Sequence, residues 1–387
     1  MERSGVYSHS SPGKLFFGPG SLASLPEEMD KSLSYIIITD KGLAESGAVD
    51  RVGRVLEAAG IKSHVFDETH SDPPVEDCLA AAELARERGC GGVIGLGGGS
   101  SLDAAKGVAV LLRGQGGLKE YGSGKWVQGP VAPLYAIPTT AGTGSEVTRV
   151  AVITDTQRNE KMAVRGVHLA PLAAALDPEL LQGLPPRIAA ETGADALAHA
   201  VEAFVSLNSS PVTDALALSA IGLVGENLRR FVANPADAKA AEGMLVASCL
   251  AGQAFTNGGL GLAHSMGEPL GAFFHVSHGL SCAIYLPVIM EFNLPAAPEK
   301  FCAVARALGE EVDWAPPHRA ARLAVSAVRE LFQDVGLPLT FKEAGIEFEL
   351  HQKMIDDVWP QFSTKCNPRQ ADPEQVASLY LAPGEED

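Results

Sequence analysis

The rhythm of apolar and polar positions changes once along the chain, near residue 185. Before that point, short β-branched runs alternate with amphipathic stretches. "SYIIITD" (34–40), "KSHVFDE" (62–68), "GGVIGLGGGS" (91–100) and "LYAIPTT" (134–140) have the length and composition of strands. Between them, "RVGRVLEAAG" (51–60), "VEDCLAAAELARERG" (75–89) and "SLDAAKGVAVLL" (101–112) carry a helical period, and the first two close on glycine. Strand–helix alternation predicts a parallel sheet covered by helices on both faces. After Pro185 and Pro186 the strand signal stops. Helices are predicted over 187–207, 211–232, 235–257, 260–271, 296–307, 317–335 and 373–381. The expected organisation is an α/β domain over 1–185 followed by an all-α domain over 186–387. A length of 387 residues accommodates two such cores.

Composition narrows the choice of partners. The formal net charge of −17 repels a phosphate backbone or an acidic membrane surface, so neither nucleic acid nor membrane is expected. The six cysteines contain no C-x-x-C pair, which fits reduced thiols in a cytoplasm better than a disulfide scaffold. The N-terminal "MERSGVYSHS" lacks the apolar core of a secretory signal, and no apolar run reaches 18 uninterrupted residues.

The chemistry concentrates in three places. A strand delivers the chain to Gly97, Gly98 and Gly99, and a helix restarts at Ser100. Glycines admit a pyrophosphate close to backbone N–H groups, and the helix N-terminus adds partial positive charge. A tight structural turn would read the same way, because the third glycine of the usual fingerprint is missing. Asp40 closes the strand 34–40, where a carboxylate suits a ribose diol; it also suits an ordinary turn. A second hydroxyl-rich turn, "PTTAGTGSEVT", offers Thr139, Thr140, Thr143 and Ser145, with Lys161 just beyond. Lastly, Asp195 and His199 sit four apart in "TGADALAHAVEAFVS", on one helix face, and His264 and His278 follow in "GLGLAHSMGEPLG" and "FFHVSHGLS". One carboxylate and three imidazoles make a plausible set for a divalent transition metal, although a lone histidine is more often a hydrogen-bonded core residue and His275 competes on spacing. Burying Asp195 unpaired would be expensive, so that face calls for a cation or a strong hydrogen-bond network.

Taken in order, "GGGSSLDAAKG", "PTTAGTGSEVTRVAVITD", "TGADALAHAVEAFVS", "AFTNGGLGLAHSMGEPLGAFFHVSHGLS" and "STKCNPRQADPEQVASLY" resemble the iron-containing (group III) alcohol dehydrogenase family over nearly the whole chain. The resemblance implies a dehydroquinate synthase-like fold, an N-terminal dinucleotide domain and a helical C-terminal domain with the active site in the cleft between them. It implies Asp195, His199, His264 and His278 as ligands of Fe(II), or of Zn(II) or another divalent ion. It implies NAD contacts from Gly97, Gly98, Gly99 and Ser100 to the pyrophosphate, and from Asp40, Thr139, Thr140, Thr143, Ser145 and Lys161. Asp72 falls near the nicotinamide ribose and Leu180 near the adenine.

One position departs from the family. Where many members carry a second histidine, "HSMGEPLG" places Glu268. With His278 it is the expected catalytic pair, Glu268 accepting a proton; coordination of the metal and a solvent-facing position are its other readings. The implied activity is NAD-dependent alcohol oxidation or aldehyde reduction on a small molecule, in a homodimer or larger homo-oligomer. A metal-free maleylacetate-type reductase, a dehydroquinate synthase-like lyase and a non-catalytic NAD sensor are the alternatives. The lyase needs several basic residues for a phosphorylated substrate, and 192–280 offers only Arg229, Arg230 and Lys239.

Overall fold

The structure is a computed structural model that describes residues 7–384 except 115, 123 and 159. Its chain divides into two compact units, one of residues 11–182 and the other of residues 183–387 together with the N-terminal 1–10. The sequence-based boundary lay at 185.

The first unit is built on a parallel sheet. Its strands are β1 (Lys14–Phe17), β2 (Ser34–Ile38), β3 (Lys62–Phe66), β4 (Cys90–Gly97), β5 (Leu134–Pro138) and β8 (Ala173–Leu176), in the order β1-β8-β5-β4-β2-β3. All neighbours run parallel. Residues Tyr35 to Ile38 and Val93 to Leu96 are fully buried, as expected of strands covered on both faces. A short antiparallel hairpin, β6 (Val150–Asp155) with β7 (Glu160–Arg165), stands apart from this sheet. The hairpin and the edge pair β1 and β8 lie outside the strands predicted from the pattern.

Chain order reverses between β2 and β4. From β2 the chain steps outward to β3, then returns to the other side of β2 as β4 and continues to β5. Such a reversal opens a crevice at the carboxyl ends of the two strands, where ligands of doubly wound sheets bind. Asp40 follows β2 and Gly97 ends β4, so the two sequence candidates meet at that point.

The second unit is helical. Its longest helices are Pro186–Val205, Pro211–Ala233 and Ala238–Gly258. Leu262–Phe274 and His278–Asn293 follow, each with an internal proline. The predicted 317–335 helix is two pieces, Pro317–Ala320 and Arg322–Asp334. The helix His278–Asn293 escaped the pattern-based prediction. It is buried on nearly every face, with Leu280 to Pro287 all buried, so it shows no amphipathic stripe. Extended to Ala296, it is the single segment among the described residues long and apolar enough to cross a membrane, and 67% of its apolar window is buried within the protein, as in a core helix.

Candidate nucleotide and metal sites

The glycine bend is a cradle that side chains would fill. Gly97 has φ 147°, and a Cβ there would lie 2.6 Å from Ser101 Oγ. A Cβ on Gly99 would lie 2.7 Å from Thr143 Cγ2, and one on Gly98 would touch Thr140 at 3.4 Å. Asp40 Oδ2 stands 3.8 Å from the corresponding point on Gly97. The helix Gly99–Leu112 starts from Gly98 with no side chain capping its first N–H groups. Those donors therefore stay available to an anion, in line with the dipole of a four-turn helix.

Further candidates gather around the same bend. Asp72 donates its backbone N–H to Ser100 Oγ at 3.3 Å, and Lys161 Nζ reaches Asp72 Oδ1 at 2.7 Å. Asp72 holds the left-handed φ of 49°, uncommon for a residue with a side chain. Asp40 also caps the short helix Lys41–Glu45 by accepting from Leu43 N–H through Oδ1. Thr139 is buried and its N–H donates to the carbonyl of Gly97.

Two of the predicted contacts, Leu180 and Ser145, are buried. Leu180 is buried in the short 3-10 helix Pro178–Leu181. The Ser145 hydroxyl is committed to a buried network that the sequence reading did not include: it donates to Asp103 Oδ1 at 2.6 Å and accepts from Lys106 Nζ at 2.7 Å. Lys106 is 1% exposed and also donates to Thr148 and to the carbonyl of Val150. The lysine thus fastens the hydroxyl turn and β6 to the helix behind the bend. Beside it lies Glu146, 3% exposed, whose Oε1 lacks a hydrogen-bond partner. Burial raises its pKa to about 7, with its own backbone N–H and Lys106 pulling the other way.

In the helical unit, Asp195 and His199 rise one turn apart inside Pro186–Val205, where both are buried. Asp195 Oδ1 lies 3.6 Å from His199 Nε2, 3.6 Å from His264 Nε2 and 3.4 Å from His278 Nε2. The His199 ring stacks between those of Phe255 and His264, with centroids at 4.3 and 4.6 Å. Among the described residues, the tight set of metal-capable donors is Asp195, His264, His278 and Cys282, all within 4.8 Å of one another. His199 approaches Asp195 but stands outside that set, and Cys282, absent from the sequence reading, stands inside it. His275 is exposed in a left-handed cap after Leu262–Phe274, so the competition on spacing resolves to His278. Glu268 is exposed and is not among the clustered donors.

A second residue missed by the sequence reading orders this cluster. Glu202, buried one turn beyond His199, hydrogen-bonds His264 Nδ1 through Oε2 at 2.6 Å and accepts from Ala263 N–H through Oε1 at 2.6 Å. A carboxylate on the far nitrogen fixes the ring and leaves Nε2 facing Asp195, as outer partners of metal-bound histidines do. Space for this contact comes from Gly261, where a Cβ would fall 2.7 Å from Glu202 Oε1. Gly279 has the same function beside His278: a Cβ would sit 2.2 Å from the carbonyl oxygen of Glu191, so glycine lets the two helices touch.

The cluster polarises itself. Burial alone would raise the Asp195 carboxyl, yet His199, His278 and His264 hold it well below the usual carboxylate range. Burial would likewise lower His264, but Cys282, Glu202 and Asp195 raise it well above an ordinary imidazole. Cys282, then Asp195 against burial, brings His278 to about 9. Burial raises the Cys282 thiol, and the two imidazoles overcome that and lower it. Mutual attraction of this kind marks a set of groups that a divalent cation would satisfy together.

Comparisons with known proteins cover nearly the whole chain. Residues 12–178 match the family described as iron-containing alcohol dehydrogenase, and residues 189–383 match the C-terminal part of the Fe-containing alcohol dehydrogenase family. A 1,3-propanediol dehydrogenase from Citrobacter freundii is 35% identical over 379 residues, 97% of this chain and 98% of its own. An NAD-dependent methanol dehydrogenase from Bacillus methanolicus is 36% identical over 344 residues, covering 89% and 90% of the two chains. The solved structure of a 1,3-propanediol oxidoreductase superposes with a TM-score of 0.93 at 33% identity, over 98% of this chain and 100% of the other. Nucleotide cradle, helical donor cluster and full-length likeness lead to one conclusion: the chain belongs to the iron-containing alcohol dehydrogenase family.

Proposed function

We propose that this protein is a metal-dependent alcohol dehydrogenase and aldehyde reductase that moves a hydride between a small alcohol and NAD. The observation that carries the reading is the convergence of imidazole nitrogens on the buried Asp195 Oδ1, three of them within 3.6 Å, in a chain that also holds an uncapped helix behind a glycine bend. The lyase, the metal-free reductase and the sensor are not favoured. Arg229 and Arg230, the basic pair a phosphorylated substrate would need, are engaged with Asp334 and Asp237 at 2.6 Å each.

Asp195, His264 and His278, with His199 stacked beside them, would hold Fe(II) or Zn(II), and the ion would supply Lewis acidity that lowers the pKa of an alcohol. The protein does the rest. Asp195 brings a buried negative charge on which the three imidazoles converge. Glu202 aims the His264 ring. Glu268, exposed and one turn beyond His264, takes the alcohol proton and passes it to water. In the first unit, Gly97, Gly98, Gly99 and Ser100 seat the pyrophosphate, and Asp40 takes the ribose hydroxyls and repels a 2′-phosphate. Thr140, Thr143, Asp72 and Lys161 line the same bend, Thr139 and Ser145 support it, and Leu180 packs on the adenine. We also place the enzyme in the cytoplasm, where its six thiols stay reduced, and as a homodimer or larger homo-oligomer.

The test is a panel of short alcohols and aldehydes with NAD and NADH, on protein of measured iron and zinc content. Metal-loaded protein is expected to change NADH absorbance with at least one pair. No change with any of them overturns the reading.

A further inference from the structure

Cys282 belongs to the same constellation as the ligands that the proposed function assigns, and it differs from them in kind. It is fully buried, one turn after His278 in the helix His278–Asn293, a spacing that brings both side chains to one face. Its Sγ lies 3.7 Å from Asp195 Oδ1, 3.8 Å from His264 Nε2 and 3.8 Å from His278 Nε2. The other two measured edges of this four-donor figure, Asp195 to His264 and Asp195 to His278, are 3.6 and 3.4 Å.

Those lengths are those of a coordination polyhedron. Bonds of about 2.3 Å to sulfur and about 2.0–2.1 Å to nitrogen or oxygen, at tetrahedral angles, separate sulfur from nitrogen by about 3.6 Å and nitrogen from oxygen by about 3.4 Å. All five edges agree within a few tenths of an ångström.

We propose that Cys282 is a ligand of the catalytic ion, so that this protein holds its metal through Asp195, His264, His278 and a thiolate. The inference rests on the metal-dependent reading above and adds a donor to it. On binding, the sulfur forms a bond to the ion and its proton goes to solvent. A thiolate is a soft donor, so it biases the site toward Zn(II) or Co(II) relative to an all-nitrogen-and-oxygen set, which suits Fe(II). His199 then serves as the stacked neighbour of His264 or as a fifth donor.

The experiment uses the full-length protein, stripped with a chelator and reloaded with Co(II), with bound cobalt measured by dialysis. Cobalt bound one to one, with a near-ultraviolet sulfur-to-cobalt charge-transfer band that persists in Cys302→Ser and is lost in Cys282→Ser, supports the inference. Cobalt bound one to one without that band, or with a band that survives in Cys282→Ser, overturns it and leaves the metal-dependent reading intact. Failure to bind cobalt overturns both. Should Cys282→Ser not fold, X-ray absorption at the zinc edge of the Zn(II)-loaded wild type decides. A sulfur scatterer at about 2.3 Å supports the thiolate, and a shell of nitrogen and oxygen alone at about 2.0 Å overturns it.

Discussion

Single residues carry the sharpest consequences. Glu146 is buried with one carboxylate oxygen unpartnered, and its pKa is raised to about 7. Because the folded value lies above the unfolded one, its protonated form is favoured by folding. That contribution is complete below about pH 4.5 and disappears as the pH rises through 7. Glu146→Gln is therefore expected to match the wild type in urea denaturation at pH 4.5 and to exceed it by roughly 3 kcal/mol at pH 8.5. A gap that does not change with pH refutes the assignment. Glu202 makes a different prediction. Glu202→Gln keeps the shape but removes the charge on His264 Nδ1, and metal affinity should fall about 10–100-fold in a competitive chelator titration. These two residues also show where sequence reading stops. Asp195 and His199 were legible because a carboxylate and an imidazole one turn apart break an apolar face. Glu202 is equally buried, but a glutamate near the end of a helix reads as a solvent-facing residue until its partner, His264, is placed beside it.

At the scale of elements, the legible parts were those with a strong period. β2, β3 and β5 start where predicted and end two residues early, and β4 starts one residue early and ends three early at the glycine bend, because β-branched runs bounded by turn residues leave few alternatives. The helix His278–Asn293 was invisible for the opposite reason: with apolar side chains all round, it carries no stripe to detect. Missing that helix meant missing Cys282, since the i,i+4 relation to His278 exists only once the segment is helical. Cysteines searched for C-x-x-C pairs alone could not reveal it. The glycine bend was legible as a motif, and the structure supplies the steric reason. Gly99→Val would push a methyl-bearing carbon into Thr143. Overpacking of this kind costs about 1–3 kcal/mol, so NADH should bind roughly five- to hundred-fold more weakly in a fluorescence titration. Unchanged affinity would mean that the dinucleotide does not use this bend.

The molecule as a whole is strongly acidic, with a formal charge of −17. Its cofactor is an anion, so approach is opposed at long range and the opposition is screened by salt. The association rate of NADH is expected to rise between 20 and 200 mM salt as the Debye length falls, and a stopped-flow series checks it. The fall expected of a basic binding surface would contradict this. Ion binding also couples to global stability: at a free ion concentration about 100 times the dissociation constant, the native state gains about 2.7 kcal/mol. Chelator treatment should lower Tm correspondingly, and re-addition of the ion should restore it. Asn367 has a consequence of another sort. Its side chain accepts from Leu262 N–H at the start of the helix bearing His264, and it exchanges two hydrogen bonds with Asn293 at the end of the helix bearing His278. Both ligand-bearing helices are thus pinned by a residue that leaves the ribosome long after they do. A nascent chain therefore lacks these three hydrogen bonds to the two helices until residue 367 has been made.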